Sequence, residues 1–275
     1  SMTCASKMLE DFRPIYNASV VENLLNEDAV IIAKTNMDEF AMGASTKTSH
    51  FGVVKNNLDT SKIAGGSSSG SAVAVSNDDV LVALGTDTGG SVRGPASYTN
   101  IIGYKPTYSL FSRFGVVSMA NTLDQVGVFA QNIDDLRLLS NITSSPDEND
   151  MTAILDAFEY KKEDYDFNGK KIAVISTDSV LYEGIEDAVK EDYQLALNRL
   201  KDLGAELQEV KLNYAIYANP VYNIVMSSEV SSNMSRFDGV RFGLLPFSSL
   251  LLSFFFLPSL FEGLGEEVQR RIALR

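Results

Sequence analysis

Two glycine-serine turns limit what this chain can fold into. The first, Gly65-Gly66-Ser67-Ser68-Ser69-Gly70, runs directly into Ser71-Ala72-Val73-Ala74-Val75. The second, Gly85-Thr86-Asp87-Thr88-Gly89-Gly90-Ser91, follows the apolar run from Val80 to Leu84. Composition alone would make the first stretch a flexible linker. Its flanks are small and apolar, however, so each turn leads into buried structure and is pressed against core. Glycine at such a bend permits positive φ and close approach of another group, and each serine places a hydroxyl there.

Gly66-Ser67-Ser68-Ser69-Gly70 also fits a nucleophile elbow with Ser68 at its tip. That chemistry requires a histidine later in the chain, and the single histidine, His50, comes earlier. No Lys-Ser or Lys-Thr pair follows Gly70, which excludes a phosphate-cradling loop. Serine chemistry without histidine points to lysine as the base, because a desolvated lysine loses its proton near neutral pH.

The pair of motifs GGSSSGSA, residues 65–72, and GTDTGGSVR, residues 85–93, resembles the amidase signature family. Five further segments are similar to its branch of glutamyl-tRNA(Gln) amidotransferase A subunits. These are TCASKML (3–9), KTNMDEFAMGAST (34–46), SRFGVVSMANTLDQVG (112–127), SSEVSSNMSRFDGVRFG (227–243) and GEEVQRRIAL (265–274). The resemblance implies an α/β fold, with a mixed central β-sheet flanked by α-helices, and amide hydrolysis by a Ser/cis-Ser/Lys triad. It assigns Ser91 as nucleophile and Ser67, 24 residues earlier, as the bridging cis-serine. Backbone amides around Thr88, Gly89 and Gly90 become the oxyanion hole. Met42, Gly43 and Ser45 match a wall of the amide pocket, while Tyr222 and either Arg270 or Arg271 match residues that hold the bound amino acid. The competing reading of both arginines is ion pairing with Glu266 and Glu267 on an exposed helix. The family's catalytic lysine falls ahead of Ser1, and Lys7 and Lys34 match other family positions. By this reading the chain lacks its own base and is inactive alone.

The implied substrate is glutamine, whose ammonia converts Glu-tRNA(Gln) to Gln-tRNA(Gln). The implied partners are the B subunit of the amidotransferase and a small third subunit, with tRNA bound indirectly through the partner. No cofactor is expected in this chain, and ATP and Mg belong to the partner. A stand-alone amidase for small amides and an inactive fragment that only binds partners are the alternatives. The formal net charge of −13 agrees with tRNA being held elsewhere, since it repels nucleic acid over most of the surface. A single cysteine, Cys4, rules out an internal disulfide and fits a reducing compartment. His50 has no clustered ligands in sequence and reads as a surface hydrogen-bonding group, so no metal is expected. Asn-rich segments favour the mitochondrial matrix over a bacterial cytoplasm.

Periodicity predicts a helix through Val20–Leu25, a buried strand at Ala29–Ala33, a helix after the first serine turn and a strand at Val80–Leu84. Asp87 is expected to accept backbone hydrogen bonds and Arg93 to pair with a carboxylate, both bracing the second turn. A helix starts at Asp134–Leu139, followed by a polar exposed loop over Ser144–Asp150. The chain reads as one partial domain, 1–275, with a peripheral unit at about 144–215. That unit has a strand at Lys171–Ile175, a helix over 184–203 with Ile185, Val189, Leu197 and Leu200 on one face, a Gly204 cap and a strand at Ala205–Val210. The stretch 242–261 has no charged residue and is long enough for a membrane span, but Pro246 and Pro258 interrupt it. The family has a polar helical segment there, so no membrane insertion is expected.

Overall fold

In a computed structural model of the chain, the structure describes residues 2–239 apart from 155, 157 and 164, together with 244 and 262–274. The strand β3, Gln125–Ala130, has all six residues buried. It is the middle strand of a three-stranded antiparallel sheet, between β1, Val82–Asp87, and β2, Ile102–Tyr104. Burial on both faces explains its unbroken Val-Gly-Val-Phe-Ala run, where a half-exposed strand would alternate with polar residues.

Each face of β3 meets a different pair of helices. Val126 and Val128 pack with Val20 and Leu24 of α1, Ser19–Asn26, and with Leu139 of α4, Ile133–Thr143. On the other face Phe129 packs with Ala72 and Val75 of α2, Ser69–Ser76, and with Val92 and Ala96 beside and within α3, Arg93–Tyr98. This second layer sits very close to the sheet because Gly85 of β1 lies under it. A Cβ on Gly85 would stand 2.8 Å from both the Phe129 ring and the Ser68 hydroxyl. The close packing places the starts of α2 and α3, and therefore both serine turns, at one end of the sheet.

Residues Lys161–Asn223 form a second compact unit, the first comprising Ser1–Tyr160 and Ile224–Arg275. In the second unit β4, Lys171–Ile175, pairs in parallel with β5, Glu206–Val210, through α5, Asp187–Asp202. Gly204, with φ of +90°, ends α5 as the sequence predicts. Helix α6, Ala218–Met234, leads back to the first unit, whose last described element is α7, Glu266–Ala273. The described residues thus combine helices with antiparallel and parallel strands, within an α/β class, in two separate sheets.

Three segments depart from the expected pattern. Ala29–Ala33 is not a buried strand. It pairs with no described strand, and Val30 and Ile32 are 79% and 70% exposed, because its hydrophobicity has no sheet neighbour to meet. The segment Ser144–Asp150 is not a free polar loop. Ser144 and Asp147 are buried, and Asp147 accepts a hydrogen bond from the Ser112 hydroxyl at 2.5 Å, while Asp150 accepts one from the Arg113 amide at 2.8 Å. On α5, Val189 faces outward and no residue is fully buried, since a two-stranded sheet covers little of the helix. The apolar stretch 242–261, Leu244 aside, lies outside the described residues. Among those described, no helix is long and apolar enough to cross a membrane.

Phe129→Ala should lower the unfolding free energy by about 3–5 kcal/mol, as for a large aromatic removed from a close-packed site. Val189→Ala should change it by less than about 0.5 kcal/mol. Urea unfolding of the two variants checks this, and a similar midpoint for both would contradict the assignment of the core.

Candidate active site

The second serine turn is built around a buried carboxylate. Asp87, the last residue of β1, is fully buried and accepts hydrogen bonds from the backbone amides of Gly90 at 2.8 Å, Val92 at 3.1 Å and Arg93 at 3.3 Å. Both arms of the Arg93 guanidinium close on it, Nε at 3.0 Å and Nη2 at 2.8 Å. Burial alone would raise its pKa, but the Arg93 hydrogen bonds, the Val92 amide, the Arg93 charge and the Gly90 amide outweigh it. The carboxyl is held below the usual carboxylate range. Both bracing roles read from the sequence are present in this geometry. Ser91 sits half-buried inside the braced turn, with Thr88, half-buried, and Gly89, exposed, before it. The Gly90 amide is already taken by Asp87 and is not free to meet an oxyanion.

The first turn is held by a second buried carboxylate. The Asp38 amide donates to the Ser67 carbonyl at 3.1 Å, and its side chain accepts from the Ser45 amide at 3.2 Å and the Thr48 hydroxyl at 2.8 Å. Only glycine fits at 66, where a Cβ would fall 2.1 Å from Asp38 Oδ2 and 2.6 Å from the Ser45 amide nitrogen. The segment carrying buried Met42 and half-buried Gly43 and Ser45 is therefore set directly against Gly66 and Ser67. The Gly66–Ser67 peptide bond is cis.

A backbone bond joins the two turns. The Ser68 amide donates to the Ser91 carbonyl at 3.1 Å, while the Ser68 hydroxyl bonds the Thr86 amide and carbonyl, each at 3.2 Å. Ser67 and Ser91 are thus brought together at the ends of α2 and β1. The Ser67 hydroxyl oxygen is buried and makes no hydrogen bond, and the same holds for Ser69 in the first turn of α2. Leaving such a group unsatisfied costs roughly 1–3 kcal/mol.

The arginines of α7 separate by one step around the helix. Arg270 is 56% exposed and clasps Glu267 with Nε and Nη2, both at 2.7 Å. Arg271 is 12% exposed. Its Nε also reaches Glu267 at 2.7 Å, but Nη1 turns inward to the sulfurs of Met226, at 3.4 Å, and Met119, at 4.0 Å. The Arg270 hydrogen bonds, and after them those of Arg271, bring the Glu267 carboxyl down to about 2. Ion pairing fully accounts for Arg270 and only partly for Arg271. Tyr222 belongs to the second unit.

Three buried acidic residues with organising roles escaped the sequence reading. One is Asp38. Another is Glu39, which accepts from the Ser6 hydroxyl and, at 2.8 Å, from the Gly265 amide that precedes α7; burial pushes its carboxyl up despite these donors. The third is Asp124, which accepts from the Thr88 hydroxyl at 2.7 Å and from the amides of Met119, at 2.7 Å, and Ala120, at 3.0 Å. Their available signal was an acid among apolar neighbours, in Met37-Asp38-Glu39-Phe40 and Leu123-Asp124-Gln125-Val126. His50 is an exposed side chain with Nε2 3.8 Å from Glu10, and burial pushes the Cys4 thiol up to about 12. A cleft of about 390 Å³ in the second unit, lined by residues including Asp178, Tyr182 and Lys190, contains none of the predicted site residues.

The amidase family model matches residues 1–275, and the chain belongs to that family. Its similarity extends to a particular branch. It is 46% identical over 276 residues to the A subunit of the glutamyl-tRNA(Gln) amidotransferase of Caldanaerobacter subterraneus subsp. tengcongensis, and 47% identical over 274 residues to that of Staphylococcus aureus strain MRSA252. Each match takes in 99% of this chain and 56% of the relative, so the chain spans about half the length of the curated relatives it matches. The crystal structure of the Thermotoga maritima glutamyl-tRNA(Gln) amidotransferase A subunit superposes with a TM-score of 0.80 at 38% identity, covering 99% of this chain and 54% of that one. A crystal structure of an amidase gives a TM-score of 0.78 at 26% identity, covering 98% and 54%.

A folded carboxyl that titrates below its unfolded value, about 4 for aspartate, stabilises the fold above that pH and loses its contribution as the pH falls through the folded value. Asp87→Asn should therefore be markedly less stable than the parent at about pH 7, with the gap closing as the pH falls below roughly 4. Urea unfolding across this range is the measurement. A gap independent of pH would show that the loss is steric.

Proposed function

We propose that this chain is the glutamine-hydrolysing part of a glutamyl-tRNA(Gln) amidotransferase. The observation that carries the reading is the buried, unpartnered Ser67 hydroxyl beside the turn that presents Ser91. The relatives are named as A subunits of a glutamyl-tRNA(Gln) amidotransferase, which supports amide transfer, and glutamine as the amide is what the family resemblance implies. In this reading Ser91 Oγ attacks the side-chain carboxamide carbon of glutamine. Its proton passes through the Ser67 hydroxyl to a lysine amine, the base that the resemblance implies. The amides of Thr88, Gly89 and Ser91 face the oxyanion, with Gly90 kept for Asp87. Each such donor contributes about 3–4 kcal/mol to the transition state. The C–N bond then breaks as the proton returns to the leaving nitrogen, ammonia departs, and water hydrolyses the Ser91 ester to glutamate.

Recognition of glutamine over a simple amide needs a cation for its α-carboxylate, and a planar guanidinium supplies two parallel donors. Arg271 is the better placed of the two arginines, because its Nη1 turns inward and meets thioethers in place of a carboxylate. Met42, Gly43 and Ser45 form a wall of the amide pocket in this reading. Ammonia passes to the B subunit, which uses ATP and Mg to activate Glu-tRNA(Gln) and carries the tRNA, with a small third subunit in the assembly.

In the assembled amidotransferase, Ser91→Ala should reduce ammonia release from glutamine by roughly a thousandfold or more, with the fold intact. Normal release by that variant would remove Ser91 from the mechanism. Arg271→Ala should raise KM for glutamine by roughly ten- to a hundredfold, the loss of a hydrogen bond between charged groups, and Arg270→Ala by about twofold at most. Steady-state kinetics with glutamine, and with a primary amide lacking the α-carboxylate, decide between them. An equal effect of Arg271→Ala on both substrates would make that arginine structural.

A further inference from the structure

We propose that Asp124 is a positioning residue that fixes the distance between the nucleophile turn and the wall on which Arg271 rests, and so sets the preference for amides that carry an α-carboxylate. This rests on the reading of Ser91 and Arg271 given above. Asp87 and Gln125 are register partners at the end of the β1–β3 ladder. The next pair outward is Thr88 and Asp124, and their side chains continue the pairing where the backbone ladder stops, Thr88 Oγ1 donating to Asp124 Oδ1 at 2.7 Å.

The other carboxylate oxygen faces the opposite way. Asp124 Oδ2 accepts from the amides of Met119, at 2.7 Å, and Ala120, at 3.0 Å. Met119 is fixed from its far side as well, since its carbonyl accepts from Asn233 Nδ2 of α6 at 3.0 Å. Its sulfur is one of the two thioethers that the Arg271 guanidinium touches, the other being Met226 of α6. One carboxylate therefore spans from the turn that presents Ser91 to the residue under Arg271. A small hollow lined by Thr86, Ser118, Met119 and Asp124 lies along this span.

The residue type fits the task. Burial pushes the Asp124 carboxyl above the usual range in spite of its three donors. Two opposed oxygens accepting from three donors is a geometry that an amide side chain cannot reproduce, because asparagine has one acceptor oxygen. Asp87 braces the same turn from within, through residues 90–93. Asp124 ties that turn to a different part of the molecule.

The test compares the parent enzyme, in its assembled form, with Asp124→Asn, Thr88→Val, the double variant and Thr88→Ser, using glutamine and a primary amide without α-substituents. A fluorophosphonate probe followed by mass spectrometry reports Ser91 reactivity in each. Asp124→Asn should reduce the ratio of kcat/KM for glutamine to that for the simple amide by about tenfold or more, the equivalent of one hydrogen bond to a charged group. Ser91 should still be labelled. Thr88→Val should lower the ratio in the same direction, the double variant should be no worse than Asp124→Asn alone, and Thr88→Ser, which keeps the hydroxyl, should retain the parent ratio. Equal losses on both substrates, or effects of the two substitutions that multiply, would overturn the proposal. If Asp124→Asn fails to fold, the Thr88→Val and Thr88→Ser pair still decides it: an unchanged ratio in Thr88→Val overturns it. Failure of the probe to label Ser91 in the parent would instead overturn the reading of the nucleophile on which the proposal rests.

Discussion

The buried charge of Asp87 is the constraint on which the end of the molecule that carries both serine turns depends. A carboxylate removed from water is tolerated only when its oxygens are filled by donors, and here they are filled by three backbone amides and both arms of Arg93. Satisfying the charge forces the chain through Gly89 and Gly90 into one shape. The same hydrogen bonds start α3 and leave Ser91 fixed relative to β1. A turn rich in glycine would otherwise sample many conformations, and a nucleophile on it would be poorly placed.

Rigidity at one turn becomes a site only when the second turn is fixed against it. The close layer of α2 and α3 over Gly85 brings Ser68 onto β1, where its hydroxyl and amide bond Thr86 and Ser91. Asp38 then sets the Met42–Ser45 segment against Gly66 and Ser67. Each contact uses a backbone group or a short side chain, so the geometry is transmitted with little slack. Within this fixed frame the Ser67 hydroxyl oxygen is buried and makes no hydrogen bond to a described group.

Longer-range acids complete the arrangement. Glu39 holds the chain just ahead of α7, and Asp124 with Asn233 holds Met119, on which the inward guanidinium of Arg271 lies. Glu39 and Asp124 carry carboxyls that burial pushes up. Retaining such groups is unfavourable for stability, yet it gives defined separations between segments far apart in sequence. The same helix therefore presents two adjacent arginines to different environments. Arg270 lies in solvent with its Glu267 partner, and Arg271 lies against methionine sulfur.

What the sequence determined by itself was local. The double glycines marked two tight turns, the resemblance carried by the two motifs paired Ser67 with Ser91, and Asp87 and Arg93 were each legible as braces of the second turn, one through backbone amides and the other through a carboxylate. The cap at Gly204 and the helices at α1 and α4 followed from periodicity and from residues only a few positions apart. The tertiary structure decided the rest. Val30 and Ile32 have the hydrophobicity of a buried strand but lie exposed, because hydrophobicity states a need for burial without supplying the neighbour. Asp147 looks like a loop residue and is buried on Ser112, 35 positions away; Glu39 meets Gly265 across 226 positions; and the sequence could not say which of Arg270 and Arg271 turns inward. The physical reason is the same in each case: a side chain specifies the donors and acceptors it offers, whereas the partner that fills them is chosen by how distant segments pack.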